Sequence, residues 1–599
     1  MRDNKNMKPK NIVKSLLRLL SYFKQYKVSL FFFVLAVIIS AFSTIISPQL
    51  IGDIINAISA NFKITQNGIK FIPDFTKITS LAIMLLAICI ASGLFGYLQN
   101  WLMANMVQDI VFKMREQTSS KISRLPLSFL DKNKTGDTVS IITNDIETIS
   151  DNLVESVNQI LFSVTVIIGV AVMMVKINLE MSLIAGITTI VAVGLIAVVT
   201  KFTQIYFLSL QGTTGKINAF TEEMLSNHEI IKSYNGEEDS INKFKAINNE
   251  MFSNSWKSQF FGGLIYPLMG LIRNISRLVI ALIGGLKAIN GQMSVGDVSA
   301  FIQYMGSFTQ PLAQIANSMT VIQTTLAASE RVFNFLDAEE EKEEENAKKM
   351  PKNIKGHVEF SKVNFSYSPN KPVITNFSAT IQPNSNVAIV GPTGAGKTTI
   401  VNLLMRFYDI DSGKIKIDGV DTSKVSRRDI RSLFGMVLQD TWLFNGTIEE
   451  NLKYGKPDAT HEEVVVAAKA AHADHFIRTL PEGYNTIISQ DVDNISSGEK
   501  QLLTIARAIL ADSPMLILDE ATSSVDTRTE AAIQSAMDNL AHGRTSFVIA
   551  HRLSTIRNAD LILVMDKGNI IEQGTHDELL KIKGHYSALY NSQFASSLE

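Results

Sequence analysis

The stretch Gly391-Pro392-Thr393-Gly394-Ala395-Gly396-Lys397-Thr398-Thr399 has the residue types and spacing to hold a polyphosphate. Its glycines let the backbone curl so that successive N–H groups point inward, and a following helix adds the positive end of its dipole. Lys397 is placed to reach the β- and γ-phosphates of a nucleotide, and the Thr398 hydroxyl to ligate Mg²⁺. A second constellation fits the same chemistry. Met515-Leu516-Ile517-Leu518 is an apolar strand that ends in Asp519 and Glu520. Asp519 at the rim of a sheet would hold Mg²⁺, while Glu520 points elsewhere and can act as general base on an attacking water. The implied reaction is hydrolysis of a nucleoside triphosphate.

These residues need a sheet and a helix to position them. The β-branched run Val387–Val390 precedes the loop, and Ile400–Leu404 continues it as a helix. From Gly356 onward short strands alternate with helices, with strands expected at His357–Phe360, Val387–Val390, Lys414–Ile417, Met436–Leu438, Met515–Leu518, Ser546–Ile549 and Leu561–Val564. Residues 356–599 therefore read as an α/β P-loop nucleotide-binding domain.

The other half of the 599-residue chain has a different character. Six stretches are long and apolar enough to cross a bilayer, which takes about 20 residues. They lie near Val28–Ile46, Ile78–Trp101, Ile160–Val175, Met181–Val199, Phe260–Leu282 and Val298–Ile322. Residues 1–27 carry eight cations against Asp3, interleaved with Leu16, Leu17, Leu19, Leu20 and Phe23. That pattern predicts an amphipathic helix at the cytoplasmic surface, a solvated basic tail being the alternative. An even number of spans puts both chain ends on one side, and the basic start makes that side the cytoplasm, as expected of a multi-pass protein of the cell membrane. The net charge of −1 gives no electrostatic reason to expect nucleic acid. The single cysteine, Cys89, excludes an intrachain disulfide. No cleavable signal is expected.

Loop lengths add to this. The connections within 28–325 on the cytoplasmic side are about 60 residues long and poor in glycine and proline. They predict long helices projecting from the membrane, with tips at Phe129-Leu130-Asp131 through Gly136-Asp137-Thr138 and at Thr221-Glu222-Glu223-Met224. Arg273 and Arg277 sit in the fifth span, four apart and on one helix face. They would meet an anionic substrate group or an acid of another helix or subunit, with snorkelling the alternative for Arg273. Residues 326–355 form a linker whose acidic run, Asp337 to Glu345, reads as solvated.

At this point the chain resembles an ABC transporter of the exporter type over essentially its whole length. Besides the two constellations above, Tyr367 matches the aromatic that stacks on adenine in that family. Gln439 matches the Q-loop residue that senses Mg²⁺, Asp526 lies in the D-loop match Ser523-Ser524-Val525-Asp526, and His551 matches the switch histidine on the γ-phosphate. Thr135-Gly136-Asp137 and Thr143-Asn144-Asp145 look like the family's first intracellular loop. The resemblance implies a multidomain membrane protein, an all-α six-helix transmembrane domain with long intracellular helices followed by the nucleotide-binding domain. It also implies ATP and Mg²⁺ as ligands and a second half-transporter as partner, with two ATP molecules sandwiched between the nucleotide-binding domains.

One departure carries information. The family's signature Leu-Ser-Gly-Gly-Gln reads Ile495-Ser496-Ser497-Gly498-Glu499 here, and Val492 stands in the loop before it. Ser497 adds a Cβ where glycine is usual, and Glu499 brings a carboxylate toward a polyanion. With Lys397, Gln439, Asp519, Glu520 and His551 intact, the chain resembles the catalytically complete subunit of heterodimeric bacterial multidrug exporters. A homodimeric exporter or lipid flippase, or a membrane ATPase acting as sensor, is the alternative. An amphipathic or hydrophobic substrate (a drug, lipid or peptide) is expected.

Overall fold

The computed structural model describes residues 12–60, 62–65, 68–71, 74–341, 347–351, 353–369, 371–438, 441–488, 495–519, 527–549 and 556–593. The chain divides into two compact units. One comprises Met1–Ser123 with Thr135–Ala338, and the other Arg124–Lys134 with Glu339–Glu599.

The first unit is helical, apart from a hairpin of Phe62–Thr65 on Gly68–Phe71. Its main helices are α1 (Ile12–Phe23), α2 (Lys27–Ser59), α3 (Phe75–Ile122), α4 (Ile146–Ile177), α5 (Leu179–Ser226), α6 (Glu237–Gly263), α7 (Ile265–Ile289) and α8 (Val295–Leu336). Five of the six expected spans fall within one of these helices; the fifth, Phe260–Leu282, begins in the last turn of α6 and crosses the break at Leu264 into α7. Among the described residues, Val13–Ser59, Phe75–Ile122 and Thr135–Ile177 are long and apolar enough to cross a membrane, and Leu179–Val191 is a shorter apolar stretch. Ile83, Leu86, Ile90 and Leu94 of α3 and Leu183, Ile187 and Ile190 of α5 are exposed. Such a band is stable against hydrocarbon, where helices satisfy their own backbone groups.

Two cores hold the helices together. Met103, Val107, Ile110 and Met114 of α3 meet Ile146, Ile149 and Leu153 of α4 and Val332 and Phe333 of α8. Nearer the opposite end, Val166, Val170 and Met174 of α4 meet Met181 of α5, Ile280 of α7 and Phe301, Tyr304 and Met305 of α8. Buried polar side chains join neighbouring helices: Ser40 Oγ donates to Gln99 Oε1 at 2.8 Å, and Asn158 Nδ2 to Asn100 Oδ1 at 2.8 Å. Near Pro48, which has no N–H to give the helical ladder, Tyr304 Oη donates to the Ile45 carbonyl at 2.7 Å.

Two expectations shift. The second tip is not at Thr221–Met224, which is uninterrupted helix. α5 runs on to Ser226, and the reversal follows a short helix, His228–Ser233, closed by Asn235 in the left-handed region (φ 53°) and Gly236. Nothing in Thr221–Met224 stops a helix, whereas Asn235-Gly236 supplies the residues that tolerate the turn. Likewise α8 continues to Leu336, well into the stretch expected as linker.

The second unit contains two large sheets, besides a short antiparallel pairing of Gly446–Thr447 with Ile487–Ile488. An antiparallel sheet has the order β2-β1-β4-β5, built from β1 (Val358–Ser368), β2 (Lys371–Ile381), β4 (Ser412–Ile417) and β5 (Val420–Asp421). The other has the order β10-β9-β3-β8-β7-β6, from β3 (Asn386–Val390), β6 (Phe434–Val437), β7 (Met515–Asp519), β8 (Thr545–Ile549), β9 (Leu561–Asp566) and β10 (Asn569–Gly574). All of its neighbours pair in parallel except β10 on β9. Both faces of this sheet are covered. Val387 and Ile389 join one core and Ala388 and Val390 the other, which explains why its strands read as unbroken apolar runs. Neither β2 nor β10 was expected. Pro372 and Asn376, the latter at φ 50°, interrupt the pattern of β2, and β10 alternates exposed and half-buried residues as an edge strand.

Small residues let α2 and α8 touch. A Cβ on Gly296 would lie 2.0 Å from the Gly52 carbonyl oxygen and 2.6 Å from Asn56 Nδ2, while Gly296 N donates to Asn56 Oδ1 at 2.8 Å. Gly296→Val is expected to force these helices apart and cost about 1–3 kcal/mol. A lowered melting temperature of the purified membrane protein would register it, and an unchanged one would refute the close packing.

Candidate nucleotide site

The loop 391–396 joins β3 to α9 (Lys397–Leu404) by passing through three glycines of unusual conformation. Gly391 (φ 154°), Gly394 (φ 83°) and Gly396 (φ 99°) turn the backbone where a side chain would be strained or would collide. At Gly391 a Cβ would sit 2.3 Å from the Met565 carbonyl oxygen, and at Gly396 2.8 Å from Ile374 Cδ1. Gly394 has open space instead. The loop is pinned from behind, since Gly568 N donates to the Ala395 carbonyl at 3.1 Å.

Lys397 folds back over this loop. Its Nζ donates to the carbonyls of Gly391 at 2.8 Å and Pro392 at 3.2 Å. Burial pushes its pKa down, and the nearby Asp519 carboxylate opposes that shift. Asp519 ends β7, which is separated from β3 in the sheet only by β8, so the sheet order brings the two motifs to one edge. Pro392, Thr393 and Thr398 are exposed, whereas Thr399 is buried and accepts a hydrogen bond from Tyr367 Oη at 3.2 Å. The donor set suits Mg²⁺, since the Thr398 hydroxyl and Asp519 carboxylate are hard oxygen ligands on one rim. Gln439, Glu520, Asp526, His551 and Val492 lie outside the described residues.

Tyr367 is partly exposed, as a stacking surface must be, and is braced edge-on by Phe365 at 4.8 Å and Tyr408 at 5.0 Å. The sequence reading missed Tyr408. It lies just beyond the C-terminal end of α9, and its hydroxyl donates to Asp131 of the short helix Leu127–Lys132. Burial and that carboxylate both raise its pKa. Its neighbours anchor the segment. Arg406 donates to the carbonyls of Thr422 at 2.9 Å and Val425 at 2.7 Å, and Arg431 lies 5.2 Å over the Phe407 ring. The run Arg406-Phe407-Tyr408-Asp409, two aromatics flanked by opposite charges directly after a P-loop helix, was the available signal.

The acidic run is not merely solvated. Glu341 accepts from Arg431 at 2.8 Å, its N–H donates to the Arg124 carbonyl at 2.9 Å, and Glu340 pairs with Arg124 at 3.4 Å. At the altered signature, Ser496 is the N-cap of α10 (Ser497–Ala511), and Glu499 closes a capping box. The Ser496 N–H and Oγ both donate to Glu499 Oε2 at 2.8 Å, and Glu499 N donates to Ser496 Oγ at 3.3 Å. Ser497 opens the helix exposed, and Gly498 is buried behind it.

Residues 30–312 match the ABC transporter transmembrane region, and 374–523 match the ABC transporter domain. A fatty acid ABC transporter ATP-binding/permease protein of Mycobacterium bovis is 45% identical over 87% of this chain and 83% of its own. The chain belongs to the ABC transporter family. The ABC transporter ATP-binding protein YfiC of Bacillus subtilis is 40% identical over 98% of this chain and 96% of its own. An ATP-dependent lipid A-core flippase of Desulfotalea psychrophila is 35% identical over 95% and 97% respectively. This is therefore an exporter-type ABC half-transporter, a helical transmembrane region fused to an α/β ATP-binding domain. It is a membrane protein that works as a dimer and whose ATPase is coupled to transport.

Tyr408→Phe removes the hydroxyl that holds Asp131 and leaves the ring. The amides of Leu127–Lys132 are expected to exchange hydrogen about 3–10-fold faster, the worth of about one ordinary intramolecular hydrogen bond. Unchanged exchange there would show that the hydroxyl does not secure this helix.

Proposed function

We propose that this ABC transporter is one half of a heterodimeric exporter that hydrolyses ATP to move an amphipathic or hydrophobic substrate across the cytoplasmic membrane, with one competent and one slow ATP site. What carries the proposal is the contrast between a complete P-loop cradle and a signature helix that begins with Ser497 and Glu499. Anions bind at a helix N-terminus through free N–H groups and the positive dipole end. At α10 the Glu499 carboxylate already sits there and takes up the Ser496 N–H and hydroxyl. A γ-phosphate presented by a partner would meet that charge, so the site completed by this signature closes poorly.

The chain's own Walker motifs face the partner's signature. Gly391 through Gly396 cradle the phosphates with backbone amides, Lys397 neutralises the β- and γ-phosphates, Thr399 anchors the Tyr367 hydroxyl, and Tyr367 stacks on the base. Mg²⁺, held by Thr398, Asp519 and Gln439, would spread the charge that develops on the phosphate oxygens. Glu520 accepts a proton from the attacking water, His551 orients the γ-phosphate and Asp526 contacts the opposite site across the dimer. Closure of the sandwich supplies the differential binding energy that shifts the transmembrane domains from inward- to outward-facing.

A homodimer is the second reading, and a specific observation favours it. The capping box uses Glu499 as it would use glutamine, so the start of α10 is intact. The relatives named as flippases make a lipid substrate a natural choice under either reading.

Native mass of the complex extracted from its host membrane separates the two readings. A one-to-one partner of similar size is expected, and an ATPase-active dimer of this chain alone would overturn the heterodimer. In either assembly Glu520→Gln is expected to cut ATP turnover by at least about a hundredfold, the range of a general base, with nucleotide affinity retained. Near-normal turnover would remove Glu520 from that role.

A further inference from the structure

Two cations in α7 have no explanation in the packing of their own chain. Arg273 and Arg277 are both exposed, and among the described residues neither has a hydrogen-bond or ion-pair partner. They lie off the exposed apolar face of their helix. The exposed apolar side chains of α7 are Leu271, Ile275, Leu278, Leu282, Leu286 and Ile289. At about 100° per residue these fall on one side of the helix, and Arg273 and Arg277 fall roughly opposite. The arginines instead share a face with Ile280, which is fully buried, and with Gly284, which packs on Val298 of α8 and Met181 of α5. That inward face is sealed at Ile280 and Gly284 and opens one turn further along. There the Arg277 guanidinium lies against α8, with Nη2 3.9 Å from the Cβ position of Gly306.

Their depth removes the chain's own acids as partners. Counted from Ile289 at about 1.5 Å per residue, Arg277 is about 18 Å and Arg273 about 24 Å along α7, within a hydrocarbon layer of about 30 Å. Contacts place the ends of the neighbouring helices at the same level. Lys287 pairs with Glu180 at the start of α5, and Gly52 of α2 touches Gly296 at the start of α8. On that scale Asp53, Glu180 and Asp297 all lie within about 10 Å of the end, and the next acid, Glu155 of α4, comes at about 33 Å. A band with two guanidiniums and no carboxylate is left between them. Intramembrane cations on an inward face are costly unless an anion joins them.

We propose that Arg273 and Arg277 form the head-group subsite of the translocation pathway and select amphiphiles with an oxyanion head, a carboxylate or a phosphate, on a hydrocarbon tail. This rests on the transport reading above and narrows its substrate class. Two forked guanidiniums one turn apart offer bidentate hydrogen bonds to such a head. The unsubstituted Gly306 leaves room for the Arg277 side chain beside α8.

The test uses the assembly isolated from membranes, in nanodiscs of zwitterionic lipid and without nucleotide. Binding of three probes of equal chain length is compared: a fatty carboxylate, an alkyl phosphate and the neutral alcohol. At least one anionic probe should bind about tenfold or more tighter than the alcohol, the worth of a charge-assisted hydrogen bond. Which anion binds tighter tells a fatty-acid ligand from a phospholipid-like one. The double variant Arg273→Gln/Arg277→Gln should lose this preference with alcohol binding unchanged, and Arg277→Lys, which keeps the charge without the fork, should retain part of it. Equal binding of all three probes by the unaltered protein, or an anion preference that survives in the double variant, would overturn the proposal. So would loss of the dimer in the double variant without any anion preference in the unaltered protein, since the arginines would then serve an acid of the partner subunit. ATPase activity of the same nanodiscs is read separately. An assembly that prefers anions but never hydrolyses ATP would sink the transport reading and leave the subsite standing.

Discussion

A polyanion can be held on a helix end only if the preceding backbone turns its amides toward one point. That requirement governs the second unit. Left-handed or near-mirror conformations at Gly391, Gly394 and Gly396 are the local cost, and the surrounding residues hold them in place. Met565 and Gly568 from the end of β9 press on the loop from one side and Ile374 of β2 from the other. The parallel sheet order then fixes what stands beside the loop. With β8 between β3 and β7, Asp519 emerges at the same edge and acts on Lys397. Lys397 meanwhile lies on the loop's own carbonyls and is already partly desolvated there.

The same helix has a second end, and the structure uses it. α9 begins at Lys397 and runs into the segment 406–409, whose Arg406 is fastened to backbone carbonyls and whose Tyr408 touches both Tyr367 and Asp131. Tyr367 therefore has the buried Thr399 hydroxyl on one side and Tyr408 on another. A short path of direct contacts joins Tyr367 to the helix Leu127–Lys132. Glu340 and Glu341 hold the start of that excursion through Arg124, and Glu341 also binds Arg431 beside Phe407. The intracellular tip is thus fastened twice to the ATP-binding fold, by the linker acids and by the tyrosine.

Much of this was legible in the sequence because it was local. The P-loop, the apolar strand before Asp519 and the spans each declare themselves within twenty or so residues. What escaped was non-local or locally inconsistent. β2 contains a proline and a left-handed asparagine, and it is held as a strand by eleven-residue β1 beside it. The pairing of Glu341 with Arg431 spans ninety positions and leaves no periodic trace. Glu499 is a different case. Its charge near a phosphate was anticipated, but Ser496-Ser497-Gly498-Glu499 is also an S-x-x-E capping box, a signal present in the sequence and passed over. The second tip was misplaced because Thr221–Met224 looks polar, whereas the turn needed Asn235-Gly236.

Charge placement in the two units obeys one rule with opposite outcomes. In the ATP-binding unit, buried or half-buried cations have partners from the same chain: Arg406 takes two carbonyls and Asp409, and Arg427 takes Asp409 as well. Burial alone would raise the Asp409 pKa, but the two guanidiniums overcome it and hold the carboxyl below its ordinary range. In the membrane unit the chain supplies partners on either side of that depth, as with Glu180 and Lys287 toward one end and Lys216 and Glu250 toward the other. At the depth of Arg273 and Arg277 it supplies none among the described residues, although the hydrocarbon layer is where an unpaired cation costs most. Two guanidiniums left without a partner among the described residues, on the side of α7 away from its apolar face, leave that place for an anion from outside the chain.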